Sequence, residues 1–303
     1  MALSDVFNAM KREGYVVKPL DLYLLSLNGE DNDRAIDVNA PSQIGCCMRS
    51  RFYARTGEHP DANCVNARTR RIFDNGSYMH VRLQTYLKEE GMLLADEIPV
   101  HNYEYNIQGH TDGIIDISLK RDLAECAVLE LKSINSNGFT DLKAPKEEHV
   151  QQGLTYVFCL EERREYLQDK YATREDFDRS SPFRVAQYRK LYQHLKSGRK
   201  HNRAEKIAFQ VSLHLRIDSL LYDLKSPITK VIFLYENKDN QELKEFCITT
   251  QDAKNKNVLA KVLEDCDTLN KCIEEGSIPA REGTCKSCNV CRFCDYKSVC
   301  WVV

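Results

Sequence analysis

Near the middle of the sequence, Ala127-Val128-Leu129-Glu130-Leu131-Lys132-Ser133 sets two opposite charges into an otherwise apolar run. Such a run reads as an interior strand, in which every second residue shares a face. Glu130 and Lys132 therefore project from one side and Leu131 points the other way, into the core. Charges in such a place are costly unless they are paired or bound to a metal ion. Whatever fold the chain adopts must satisfy both. Asp112, at the start of the preceding strand-like segment, can bring a second carboxylate to the same point, and the backbone carbonyl of Leu131 stays close to it. Hard oxygen ligands of this kind hold Mg²⁺ or Mn²⁺. Asp116, four residues further on, is the rival for the place of Asp112.

Around this strand the pattern alternates. An N-terminal helix within residues 1–40 leads to a polar turn at Asn28–Asp33, and Ser42 caps a helix through Arg49-Ser50-Arg51-Phe52-Tyr53. A further helix covers Ala67–Glu90 and stops at Gly91. Strands follow at Glu97–Val100, Tyr105–Ile107, Gly113–Leu119 and Ala127–Ile134, the last two forming a hairpin across Lys120-Arg121-Asp122. Helical spacing resumes over Glu147–Glu162 and Arg184–Lys196. A strand at Ile228–Tyr235 pairs with Glu242–Thr249. Val258, Val262, Cys266, Leu269 and Ile273 then mark an amphipathic helix ending at Gly276 and Pro279. This is the pattern of a mixed α/β core with one closing helix. A net charge of −2 with 29% charged residues means that any affinity for a polyanion must come from a local patch. No apolar run approaches the ~20 residues that span a bilayer, and Met1–Asp5 does not open a secretion signal. A soluble, cytoplasmic protein without a membrane partner is expected.

Other residues fall in a telling order. Gly76-x3-His80 precedes Gly109-x2-Asp112, then Glu130-x-Lys132, then Gln152-x3-Tyr156. This series resembles the PD-(D/E)XK nuclease superfamily, in particular its RecB-like branch, which includes CRISPR-associated exonucleases and the AddB nuclease domain. The resemblance implies a restriction-endonuclease-like mixed sheet flanked by helices. An N-terminal helical segment (1–41) would precede a nuclease domain (42–303). It also implies metal ligation by His80, Asp112, Glu130 and the Leu131 carbonyl, with Lys132 as the catalytic lysine. Gln152 and Tyr156, one helical turn apart, would touch DNA or order the site.

Thirteen cysteines are too many for a cytosolic chain unless some bind metal. Cys126, Cys159 and Cys247 sit in apolar segments and read as small buried hydrophobes. Five cysteines crowd the last twenty residues, three of them as Cys291-x2-Cys294-x5-Cys300. Iron–sulfur members of the RecB-like branch use this spacing together with one cysteine upstream of the nuclease motifs. Here that implies a 4Fe–4S cluster held by Cys47, or Cys46, together with Cys291, Cys294 and Cys300, joining the N- and C-terminal segments. A zinc ion on Cys285, Cys288, Cys291 and Cys294 is the alternative.

Residues 163–206 hold thirteen Lys or Arg against six Asp or Glu, interleaved with Tyr166, Tyr171, Phe177, Phe183, Tyr188 and Tyr192. Basic groups can follow phosphates while aromatics stack on unpaired bases; equally, these rings can face a core of their own. The expected activity is metal-dependent cleavage of single-stranded DNA or duplex ends, in CRISPR spacer acquisition, recombination and repair, or phage DNA metabolism. A non-catalytic DNA-binding subunit of the same fold, or a cluster-bearing redox sensor, are the rival readings. No helicase phosphate loop is present, so a helicase, integrase or recombination partner would do any unwinding, and self-association stays open.

Overall fold

The computed structural model describes residues 15–27, 36–61, 66–118, 120, 122–180 and 203–302. Its centre is the apolar run singled out above. In β3 (Cys126–Ile134) six consecutive residues are buried, the mark of a strand covered on both faces. β4 (Lys230–Asn237) is nearly as buried. Together with β1 (Leu93–Asn102), β2 (Ile107–Asp116) and β5 (Leu243–Thr249) they form a five-stranded sheet in the order β1-β2-β3-β4-β5. β3 and β4 run parallel, and every other pair is antiparallel. The hairpins expected between β2 and β3 and between β4 and β5 are both present.

A parallel pair cannot be joined by a tight turn, and helices make the crossover: α4 (Ser136–Asp141), α5 (Glu147–Lys170), α6 (Arg174–Ser180) and α7 (Arg203–Asp223) lie between β3 and β4. α5 covers one face of the sheet, placing Tyr156, Val157 and Leu160 among Val100, Ile114, Val128, Val231 and Phe233, with Ile217 and Leu221 of α7 in the same core. α5 comes so close to β4 at Gly153 that a Cβ there would stand 2.8 Å from Val231 Cγ1 and 2.9 Å from Phe233 Cζ. On the opposite face α3 (Ala67–Glu89) packs Met79 and Leu83 against Ile115, Ala127, Leu129, Leu131 and Ile232. Asn66 caps α3 by accepting the Thr69 N–H at 2.9 Å. The remaining α-helices among the described residues are α1 (Val17–Ser26), α2 (Met48–Arg55), α8 (Ala253–Glu274) and α9 (Lys297–Cys300). A third apolar cluster joins α2, α8 and α9 through Phe52, Tyr53, Leu269 and Cys300.

Several expected elements shift. Ser42 lies within a 3₁₀ turn, Pro41–Gln43, and α2 begins at Met48 without a side-chain cap. Tyr105 and Asn106 belong to the β1–β2 turn, where Asn102 Oδ1 accepts the Tyr105 N–H at 2.8 Å and Asn106 has φ 49°. α5 runs two turns beyond Glu162, carrying the buried Arg164 into bonds with Glu161 and Gln168. The turn at Asn28–Asp33 and the helix over Arg184–Lys196 lie outside the described residues. No helix among the described residues is long and apolar enough to cross a membrane.

Candidate functional site

The β2–β3 ladder ends where the chemistry begins. Backbone pairing runs from Asp116↔Cys126 to Gly113↔Leu129 and then stops. At the next position the Asp112 carboxylate replaces the ladder, Oδ2 accepting the Leu131 N–H at 2.6 Å. Its other oxygen, Oδ1, meets His80 Nδ1 at 3.0 Å. α3 presents His80 from the opposite wall, one turn after Gly76. A cleft of about 960 Å³ opens here, lined by Gly76, His80, Gln84, Glu97, Asp112 and Ser133.

Glu130, 1% exposed, faces Lys132: Nζ donates to Glu130 Oε2 at 2.8 Å and to Gln152 Oε1 at 3.0 Å. Gln152 Nε2 donates in turn to the Tyr156 hydroxyl at 3.0 Å. A continuous chain therefore links Glu130, Lys132, Gln152 and Tyr156 between β3 and α5. Thr111 Oγ1 lies 3.3 Å from Glu130 Oε1. Tyr156 is itself buried, which places it as a support for Gln152 and not on the open surface. The glycine of Gly109-x2-Asp112 has a steric reason: a Cβ would lie 2.7 Å from Pro41 Cδ. At Gly76 a Cβ would meet nothing nearer than Ser133 Oγ at 4.0 Å, so that glycine only keeps the cleft wide.

Electrostatics single out the same residues. Burial, with the charge of Asp112 adding to it, pushes the Glu130 carboxyl up to about 7, although Lys132 opposes the shift. Burial by itself would lower His80, but its hydrogen bond to Asp112 and that residue's charge reverse the balance and raise it. Burial and the Glu130 charge raise Tyr156, keeping its hydroxyl protonated. A buried carboxylate this reluctant to ionise beside a second one is the setting a divalent cation relieves. The donor set of carboxylate oxygens and one imidazole suits Mg²⁺ or, with the nitrogen, Mn²⁺.

Asp116 serves elsewhere. It is 1% exposed and accepts the backbone N–H groups of Ser118 (2.9 Å) and Leu123 (3.0 Å), fastening the β2–β3 turn. Three contributors were not singled out from the sequence: Glu97, Gln84 and Thr111. Gln84 Nε2 donates to Glu97 Oε1 at 3.0 Å and to the Asp112 carbonyl at 2.9 Å. Gly76, His80 and Gln84 recur every fourth residue, so helical spacing alone could have marked Gln84.

A second constellation lies at the chain ends. Cys47, Cys291, Cys294 and Cys300 line one small cavity, walled also by Tyr53, Val290 and Arg281. Cys46 is exposed, and Cys285 is exposed with its thiol 3.5 Å from Ser287 Oγ. Four thiols around a common space beside a guanidinium fit a thiolate-ligated cluster in donor type and number. Of the basic, aromatic stretch, Phe177 is buried and stacks on Tyr222 at 4.9 Å, and Tyr171 meets Phe177 edge-on at 5.3 Å. Those rings pack a helical layer. Tyr166 is exposed beneath Lys170, while Phe183, Tyr188 and Tyr192 lie outside the described residues.

No family model and no curated protein matches the chain. Solved structures do resemble it. One, described as the crystal structure of SSO0001, is 14% identical, with 95% of this chain and 97% of that chain covered and a TM-score of 0.45. Another is an alkaline exonuclease (LHK-Exo) from Laribacter hongkongensis, 12% identical, with 80% and 92% covered and a TM-score of 0.41.

Proposed function

We propose that this chain is a divalent-cation-dependent deoxyribonuclease that hydrolyses phosphodiester bonds in single strands or at duplex ends. The observation that carries the reading is the convergence, at the point where β2 and β3 part, of Asp112, the Leu131 backbone and His80 with the Glu130–Lys132–Gln152–Tyr156 chain. Asp112, Glu130, the Leu131 carbonyl and His80 would hold Mg²⁺ or Mn²⁺. Held by these residues, a divalent ion would supply polarisation of the scissile phosphate and acidification of a water molecule.

The chain's own groups do the rest. Lys132 Nζ, fixed between Glu130 and Gln152, orients the attacking water and offsets the negative charge that grows on the phosphate. Gln152 keeps the ammonium aimed, and Tyr156 keeps Gln152 aimed. Asp112, bonded to the Leu131 amide, locks the two strands at the spacing the ligands require. At the chain ends, Cys47, Cys291, Cys294 and Cys300 would carry a 4Fe–4S cluster; their shared cavity supports that assignment over zinc on Cys285, Cys288, Cys291 and Cys294.

Incubation of end-labelled single- and double-stranded DNA with Mg²⁺, Mn²⁺ or chelator tests the reading. Shortening of the labelled strand with either metal, and none with chelator, is expected. Binding of DNA with no cleavage under any metal would instead assign the chain a non-catalytic role.

A further inference from the structure

Strand β1 does something its sequence does not announce. Ala95 packs in the core beneath α5, and alternation would turn Ile98 to the other face, yet Ile98 and Val100 lie in the same core as Ala95. The phase slips by one at Asp96-Glu97, where Glu97 adopts φ 48°, a left-handed conformation that residues with side chains rarely take up. Both acidic residues consequently line the cleft. The ligand-type atoms of His80, Glu97 and Asp112 all lie within 4.8 Å of one another. Ligands at about 2.1 Å from one ion stand roughly 3.0 Å apart when adjacent and roughly 4.2 Å apart when opposite, so rotation of these side chains brings the trio onto one cation.

We infer that Glu97 is a further ligand of the cation held by Asp112 and His80, one outside the motif series read from the sequence. The inference rests on the nuclease reading of this site and deepens it. Gln84, 6% exposed, holds Glu97 Oε1 and the Asp112 carbonyl together, so Oε2 is the atom assigned to the ion. Glu130 is drawn toward Lys132, so a carboxylate from β1 supplies an oxygen on the cleft side.

Mn²⁺ titration by calorimetry on the full chain, without DNA, tests this with three variants. Glu97→Gln keeps the shape and the bond from Gln84 but loses the charged donor, and is expected to weaken Mn²⁺ binding at least about tenfold, the smallest loss usual even for an outer-shell partner. Asp96→Asn removes the same charge from the same cleft one residue away, and is expected to change affinity less than about threefold if the effect is ligation and not field. Asp112→Asn is expected to abolish binding. Equal losses in Glu97→Gln and Asp96→Asn, or no loss in Glu97→Gln, would overturn the role of Glu97 and leave the nuclease reading standing. Undiminished binding in Asp112→Asn would overturn both. Unchanged circular dichroism and thermal midpoint in each variant rule out unfolding as the cause.

Discussion

At the scale of single residues, Lys132 is where the site's cost and its use meet. Its ammonium lies at the edge of the core, 17% exposed, and the partner that offsets its desolvation is the almost wholly buried Glu130. If the pair existed only for stability, replacing Lys132 would harm the fold first. If it serves catalysis as well, Lys132→Ala is expected to lower the thermal midpoint while keeping the fold and DNA binding at assay temperature, and to lower the single-turnover cleavage rate by about 10²–10³, the usual loss on removing one charge-stabilising donor. Full activity in that variant, freed of contaminating nuclease, would remove Lys132 from the mechanism. Buried polar residues elsewhere are structural. Arg51 and Arg55 donate to Asn39 Oδ1 at 2.9 and 3.2 Å, and Arg55 reaches Asn270 Oδ1 at 2.7 Å. This network ties α2 to α8, and from sequence alone its arginines looked like part of an ordinary basic helix.

At the scale of elements, α5 holds the site because it lies so close to the sheet. The contact of Gly153 with Val231 and Phe233 sets the depth at which Gln152 reaches Lys132. Gly153→Val is expected to cost roughly 1–3 kcal/mol in urea denaturation, the range for an overpacked core, and a variant as stable as the parent would show that the helix has room to withdraw. His149, on the same helix, meets the Tyr235 hydroxyl of β4 at 2.6 Å. Burial first, then the charge of Lys132, hold its pKa down at about 4, against 6.5 for an unperturbed histidine. Between those values the unfolded chain takes up a proton that the folded chain refuses. The stabilisation is therefore complete above pH 6.5 and is lost as pH falls toward 4. The urea midpoint of the parent is expected to drop more between pH 7 and pH 5 than that of His149→Gln; parallel drops would mean that His149 does not contribute. These elements also mark what sequence could and could not reveal. β3 and α3 were legible because their apolar spacing is strong and their ends are signalled, at α3 by Asn66 and Gly91. So were the candidate site residues that ride on them, His80, Glu130 and Lys132. Glu97 was not, because it turns into the cleft through a left-handed backbone conformation that a glutamate does not announce. Tyr105 looked like strand for a related reason: the Asn102 side chain that bends the chain there can equally sit in a strand.

At the scale of the whole molecule, the segment that opens α2 and the segment that carries α9 meet at the cysteines. α2 and α9 share an apolar cluster with α8, Asp61 accepts the Ser298 N–H, and the Met48 N–H reaches Glu282 Oε1 at 2.7 Å. The two hydrogen bonds are exposed and the apolar cluster is buried. Against a closure spanning more than 240 residues, whose entropy grows with the logarithm of loop length, a 4Fe–4S cluster on Cys47, Cys291, Cys294 and Cys300 would add to them, and its binding would then be part of the folding free energy, as it is for structural metals. Protein purified without oxygen is accordingly expected to be brown, with about four irons per chain. Cys300→Ser, buried at the end of the cavity, is expected to bleach it and lower the thermal midpoint, and Cys47→Ser to do the same. Cys46→Ser and Cys285→Ser, which do not line the cavity, are expected to keep both colour and midpoint. A colourless protein holding one zinc per chain, lost on Cys285→Ser, would transfer the clamp to Cys285, Cys288, Cys291 and Cys294. That result would leave the cleft untouched, since the proposed nuclease residues lie on β1, β2, β3, α3 and α5 and share no ligand with the cysteine cavity.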